Sequence, residues 1–128
     1  MGQPGSYYFP YKSERHPNTN VPGLEDGNEG DYLTDALTDQ AIQFIRKNKA
    51  QPFFINFWYY TVHTPIQAKK EKLQKYTEKA KRLGLDPKSN KGIPVWQSKS
   101  RSEQSSPAYA SMVESMDENI GRLLETLK

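Results

Sequence analysis

A single segment limits what this chain can fold into: residues 53–60, Phe-Phe-Ile-Asn-Phe-Trp-Tyr-Tyr, are aromatic or aliphatic everywhere except Asn56. A run this short and this β-prone reads as a strand. It does not alternate polar with apolar residues, so both faces need cover, as in the parallel sheet of an α/β protein. It is also the one convincing strand in the sequence. A lone strand leaves its N–H and C=O groups without a ladder. The pattern therefore implies partner strands from outside these residues or from a second copy. The chain reads as an internal piece of a larger α/β protein, with one buried strand between flanking helices.

The helices announce themselves by period and capping. In residues 31–49, Leu33, Leu37, Ala41, Phe44 and Ile45 share a face, and Asp31 or Thr34 is placed to cap the start. Arg46, Lys47 and Lys49 suit the negative end of the helix dipole, and Pro52 stops the element. Residues 69–83 read as a lysine-rich helix with Leu73, Tyr76, Ala80 and Leu83 on one side and Gly84 just past its end. Residues 86–106 read as a polar loop anchored by Ile93, Val95 and Trp96. Residues 107–127 carry the strongest helical pattern. Ser106 caps it, Pro107 suits its first turn, and Tyr109, Met112, Val113, Met116, Ile120, Leu123, Leu124 and Leu127 make an apolar face.

Ahead of these lies an irregular arm, residues 1–30, broken by Pro4, Pro10, Pro17, Pro22, Gly23, Gly27 and Gly30. Its aromatics Tyr7, Tyr8, Phe9 and Tyr11 need a surface to pack on. The organisation expected is one partial domain over 1–128: the arm, then helix, strand, helix, loop and helix over 31–128.

Length and composition exclude several classes. A chain of 128 residues holds at most one domain. It has no cysteine, which removes disulfides, thiolate zinc sites and a cysteine nucleophile. There is no apolar run of membrane-spanning length and no apolar signal-like core in Met1 to Lys12, so no membrane partner is expected. Charge is segregated: residues 69–101 hold eleven Lys/Arg against three Asp/Glu, a net +8, while 1–68 carry −2 and 102–128 carry −3. The basic middle permits an alternative function, a non-catalytic polyanion-binding or interaction module using 69–101. Nucleic acid is not expected, because only Tyr76 and Trp96 interleave the charge and no zinc finger, helix-turn-helix or RNP pattern is present.

Few residues can carry chemistry. His63 follows the strand by three residues, in Tyr-Tyr-Thr-Val-His-Thr-Pro, and ligands of open α/β sheets bind just beyond the carboxyl ends of strands. A histidine there can hold an anionic oxygen or pass a proton to a leaving group. His16, in the arm, reads as a surface residue. Glu114, Asp117 and Glu118 share a helix face and could attract a hard cation, but a solvated face accounts for them. The sequence has no phosphate loop, no G-x-G-x-x-G, no G-x-S-x-G and no H-E-x-x-H.

Three stretches together resemble the sulfatase family, of the arylsulfatase A and bacterial exported type, within the alkaline-phosphatase-like superfamily. They are residues 30–45 (Gly-Asp-Tyr-Leu-Thr-Asp-Ala-Leu-Thr-Asp-Gln-Ala-Ile-Gln-Phe-Ile), residues 52–68 with Pro-Phe-Phe and His-Thr-Pro, and residues 109–124. The resemblance implies a fragment of an alkaline-phosphatase-like sandwich and hydrolysis of a sulfate ester, aryl or carbohydrate. It implies a formylglycine nucleophile and a calcium ion that binds the sulfate oxygens. It makes His63 the catalytic and substrate-binding residue, touching the sulfate and the bridging oxygen. Members of this kind are periplasmic or secreted. A phosphatase or phosphodiesterase on the same superfold fits the His-Thr-Pro context less well.

The departures from the family pattern set further expectations. There is no Cys or Ser-x-Pro-x-Arg for the nucleophile, no early Asp pair, and no Asp-Asn pair and Lys following residues 107–127. No residue of this chain is assigned to metal. Calcium and formylglycine are expected from the remainder of the sulfatase chain, and the isolated chain is expected to be inactive.

Overall fold

A computed structural model describes residues 4–89 and 91–128; Met1, Gly2 and Gln3 of the arm and Asn90 of the polar loop lie outside the described residues. The order is α1 (Leu33–Asn48), α2 (Lys70–Arg82), β1 (Gly92–Val95), β2 (Ser98–Arg101) and α3 (Pro107–Thr126). All three helices fall where the apolar period places them. Ser106 caps α3, its hydroxyl accepting from the Tyr109 N–H at 3.3 Å. Gly84 takes φ 66° just beyond α2, and Leu85 N–H returns to the Ala80 carbonyl at 3.0 Å, which closes the last turn. The start of α1 differs from expectation. Tyr32 is the boundary residue and no side chain caps it. Asp31 instead accepts from Asn28 N–H at 2.7 Å.

Two elements depart from the sequence reading. Within the polar loop, β1 and β2 pair antiparallel, Val95 opposite Ser98 and Gly92 opposite Arg101. The turn between them puts Trp96 at φ 52°. No Gly or Asn marks that turn, so the usual hairpin signal is missing. Residues 53–60 form no ladder with any other segment among the described residues, and the expected buried strand is not formed here. Phe54 is 87% and Trp58 77% exposed. Phe53 packs edge-on against Phe44 of α1, but among the described residues no strand lies alongside the run.

The core is built around the arm. Tyr7, Tyr11, Val21, Tyr32, Leu33 and Met112 form one buried cluster. Tyr7 and Tyr32 stack with ring centroids 5.9 Å apart, and Leu33 N–H donates to the Tyr7 carbonyl at 2.8 Å. The arm aromatics therefore cover the N-terminal end of α1.

α3 buries a face that hydropathy does not pick out. Apart from Met112, its buried residues are Ser111, Ser115 and Asn119, while Tyr109, Val113, Ile120, Leu124 and Leu127 of the apolar stripe stay exposed. Burying these polar side chains is cheap because each is satisfied inside the helix. Ser111 donates to Pro107 O at 2.6 Å, Ser115 to Ser111 O at 3.0 Å, and Asn119 to Ser115 O at 2.8 Å. Asn119 also donates to Asp35 at 2.7 Å across to α1, and Arg122 pairs with Asp39.

The acidic residues of α3 meet the lysines of α2. Lys75 pairs with Glu114, and Lys72 lies between Glu114 and Glu118. The Lys75 ammonium holds the Glu114 carboxyl below the usual carboxylate range. Lys69 pairs with Asp35 and lies over the Tyr32 ring. Among the described residues, Lys69, Lys72, Lys75 and Lys91 of the basic segment 69–101 are thus ion-paired within the molecule. Among the described residues no helix is long and apolar enough to cross a membrane.

This packing separates two substitutions sharply. Met112→Ala, which empties a fully buried site, lowers unfolding stability by about 2–5 kcal/mol. Phe54→Ser, on the exposed run, changes it by no more than about 0.5 kcal/mol. Urea denaturation of the 128-residue chain followed by circular dichroism checks both; similar midpoints for the two variants would contradict this core.

Candidate functional site

The loop that carries His63 is pinned by its backbone. Tyr7 Oη donates to Tyr60 O at 2.7 Å and to His63 O at 3.0 Å, Tyr32 Oη to Gln67 O at 2.9 Å, and Tyr8 Oη to Ala68 O at 2.9 Å. Three phenols thereby occupy four carbonyls of residues 60–68. His63 N–H closes the turn onto Tyr60 O at 2.9 Å. The clamp is reciprocal, since Gln67 Oε1 accepts from Tyr7 N–H at 2.6 Å and from Ser6 Oγ at 3.2 Å.

Side-chain hydroxyls fix the entry to the loop. Thr34 and Thr61 hydroxyls lie 2.6 Å apart, and Thr38 Oγ1 and Tyr59 Oη 2.8 Å apart. Thr34 and Thr38 project from α1, so the helix sets the path of residues 59–61. The Thr61–Val62 and Thr64–Pro65 peptide bonds are cis.

His63 itself is exposed, with Nδ1 3.2 Å from both the carbonyl and the hydroxyl oxygen of Thr64. A turn with buried attachments thus presents an imidazole to solvent, an arrangement able to meet an anionic oxygen or move a proton.

The arm returns beside this loop. Ser13 and His16 exchange backbone hydrogen bonds, 2.9 Å from His16 N–H and 3.4 Å from Ser13 N–H. Their turn borders a cleft of about 610 Å³ shared with Pro4, Gly5, Thr64, Pro65 and Gln67. His16, read from sequence as a surface residue, is exposed but stands next to the His63 loop. A second cleft, of about 520 Å³, runs along α1 past Asp31, Asp35, Asp39 and Lys69. Among the described residues no group of three or more His, Asp or Glu side chains converges to hold a metal ion. The tyrosine clamp was not legible in the sequence beyond the expectation that the arm aromatics pack on something.

These elements make an α/β piece that presents His63 on a pinned turn, and comparison with known proteins supplies its family. The family model described as Sulfatase matches residues 2–128, and the chain belongs to that family. An uncharacterized sulfatase of Schizosaccharomyces pombe is 27% identical, the match taking in 93% of this chain and 26% of that protein. The structure titled "Crystal structure of Ps i-CgsB" superposes with a TM-score of 0.52 at 30% identity, over 80% of this chain and 19% of its own. The chain spans about a quarter or less of the length of these relatives.

Two outcomes test the clamp. Tyr7→Phe takes the phenol donor from the His63 carbonyl and leaves Tyr60 O to the His63 N–H alone, which lowers stability by about 1–3 kcal/mol, read from denaturant midpoints. Burial also raises the phenol pKa values of Tyr7, Tyr8, Tyr11, Tyr32 and Tyr59 above the ordinary 10.0. The unfolded chain therefore loses these protons first. Their contribution to stability is complete below about pH 10 and is lost as pH rises through the interval above it. Phenolate absorbance and loss of helical signal rise together in an alkaline titration; ionisation of all tyrosines near pH 10 with the fold intact would contradict the burial described.

Proposed function

We propose that these residues form one wall of the active site of a sulfate-ester hydrolase, within a domain of the alkaline-phosphatase-like sandwich kind. The observation that carries the reading is His63: a sulfatase-family chain holds this turn by buried tyrosines and presents its imidazole. His63 binds a sulfate oxygen through a ring N–H and delivers a proton to the bridging oxygen as the ester bond breaks. Tyr7, Thr61 and Gln67 hold that imidazole in place; they do not touch the substrate.

The calcium and formylglycine of sulfatase chemistry do not fit this set of residues. No cation site converges among the described side chains, and the sequence has neither cysteine nor Ser-x-Pro-x-Arg. Both are assigned to other segments of the whole enzyme, which also cover Phe54, Trp58 and the outward stripe of α3. The polyanion-module alternative draws on the basic segment 69–101, of which Lys69, Lys72, Lys75 and Lys91 are ion-paired within the fold.

The decisive variant is His63→Ala in the protein at its native full length. It lowers kcat/KM for an aryl sulfate about a hundredfold to ten-thousandfold, the range of general acid catalysis. Near-normal turnover with the fold intact would reduce His63 to a structural residue.

A further inference from the structure

We infer that the Ser13–His16 turn is a second recognition element of this site: Arg15 and His16 grip an additional anionic substituent of a hydroxyl-rich substrate whose scissile sulfate lies at His63. This rests on the role proposed for His63 and adds residues that the arm contributes.

The placement of the turn is built. Gly5 N–H and Ser6 N–H both donate to Tyr11 O, at 3.0 and 3.2 Å, folding the arm back on itself. The fold is tight at Gly5, where an added Cβ would stand 2.7 Å from Ser13 N, so only glycine fits. Gln67 staples Ser6 and Tyr7 from the other side of the cleft. Ser13 and His16 then close their turn with reciprocal backbone hydrogen bonds, leaving Glu14 and Arg15 at its apex. The result sets Arg15 and His16 in the wall facing Thr64 and Pro65, the residues directly after His63.

The chemistry of the wall is selective. Arg15 is the one Lys or Arg side chain that lines this cleft, and among the described residues no ion pair engages it. A guanidinium offers a planar fork matched to two oxygens of a sulfate or carboxylate. The His16 ring adds a donor beside it. Glu14, Ser13 and Thr64 line the same cleft and supply acceptors and hydroxyls for neutral hydroxyl groups. At about 610 Å³ the cleft exceeds what a lone sulfate fills and matches ligand-sized sites. A cation, a carboxylate and hydroxyls together suit a sugar unit bearing a second negative group better than a flat aryl sulfate.

Isothermal titration calorimetry on the native full-length protein tests this with three probes: heparin tetrasaccharide, chondroitin sulfate tetrasaccharide and 4-nitrophenyl sulfate. Arg15→Ala weakens at least one tetrasaccharide tenfold or more and leaves 4-nitrophenyl sulfate within twofold. Arg15→Lys restores part of the loss, since it keeps the charge without the fork. Lys47→Ala, an equal charge change at the far end of α1, changes neither. Arg15 is exposed, so the variants fold, and circular dichroism verifies it. Unchanged tetrasaccharide affinity in Arg15→Ala, equal loss for all probes, or failure of the unaltered protein to bind either tetrasaccharide overturns the inference. The His63 reading fails separately, by normal turnover of 4-nitrophenyl sulfate in His63→Ala.

Discussion

Three phenol hydroxyls donating to the carbonyls of residues 60–68 hold the structure around His63. Buried carbonyls need partners, and the loop supplies few of its own. Tyr7, Tyr8 and Tyr32 provide them while their rings fill the core at the start of α1. One set of residues thus packs the interior and determines where His63 stands. The same coupling explains why Tyr7 and Tyr11, in an arm without helix or strand, are among the most deeply buried side chains.

The helices follow a second logic, in which polar faces pack and apolar faces wait. Ser111, Ser115 and Asn119 satisfy themselves within α3, so their small side chains can be buried against α1. The Asn119–Asp35, Arg122–Asp39 and Lys69–Asp35 contacts then link α1, α2 and α3 by charge. The exposed stripe of α3 and the exposed run 53–60 leave large apolar surfaces, which the proposed role within a larger sulfatase domain would cover.

Much of this was legible in the sequence. Ser106 with Pro107, Gly84 and the 3.6-residue pattern located the helices, because capping and period act within a few residues. The His-Thr-Pro context singled out His63 and pointed to the family. Other features were not legible. The Gly92–Arg101 hairpin lacks its usual turn residue, Trp96 taking the positive φ instead. The buried face of α3 ran against hydropathy, because back-bonded serines lose their polar cost only once helical. His16 and Arg15 look like loop residues until the arm folds.

By itself, then, the sequence determined the helices, the α/β class and the family, and it pointed to His63, since local period, capping and a short motif encode these. Only the tertiary structure decided which faces pack, that residues 53–60 stand without a ladder, and that tyrosines far away in the chain clamp the His63 loop. It also decided that Arg15 and His16 border that loop. Those facts are contacts between residues distant in sequence, from 35 positions for Tyr32 with Gln67 to 61 for Ser6 with Gln67, and no local pattern in a chain specifies which distant carbonyl a phenol will meet.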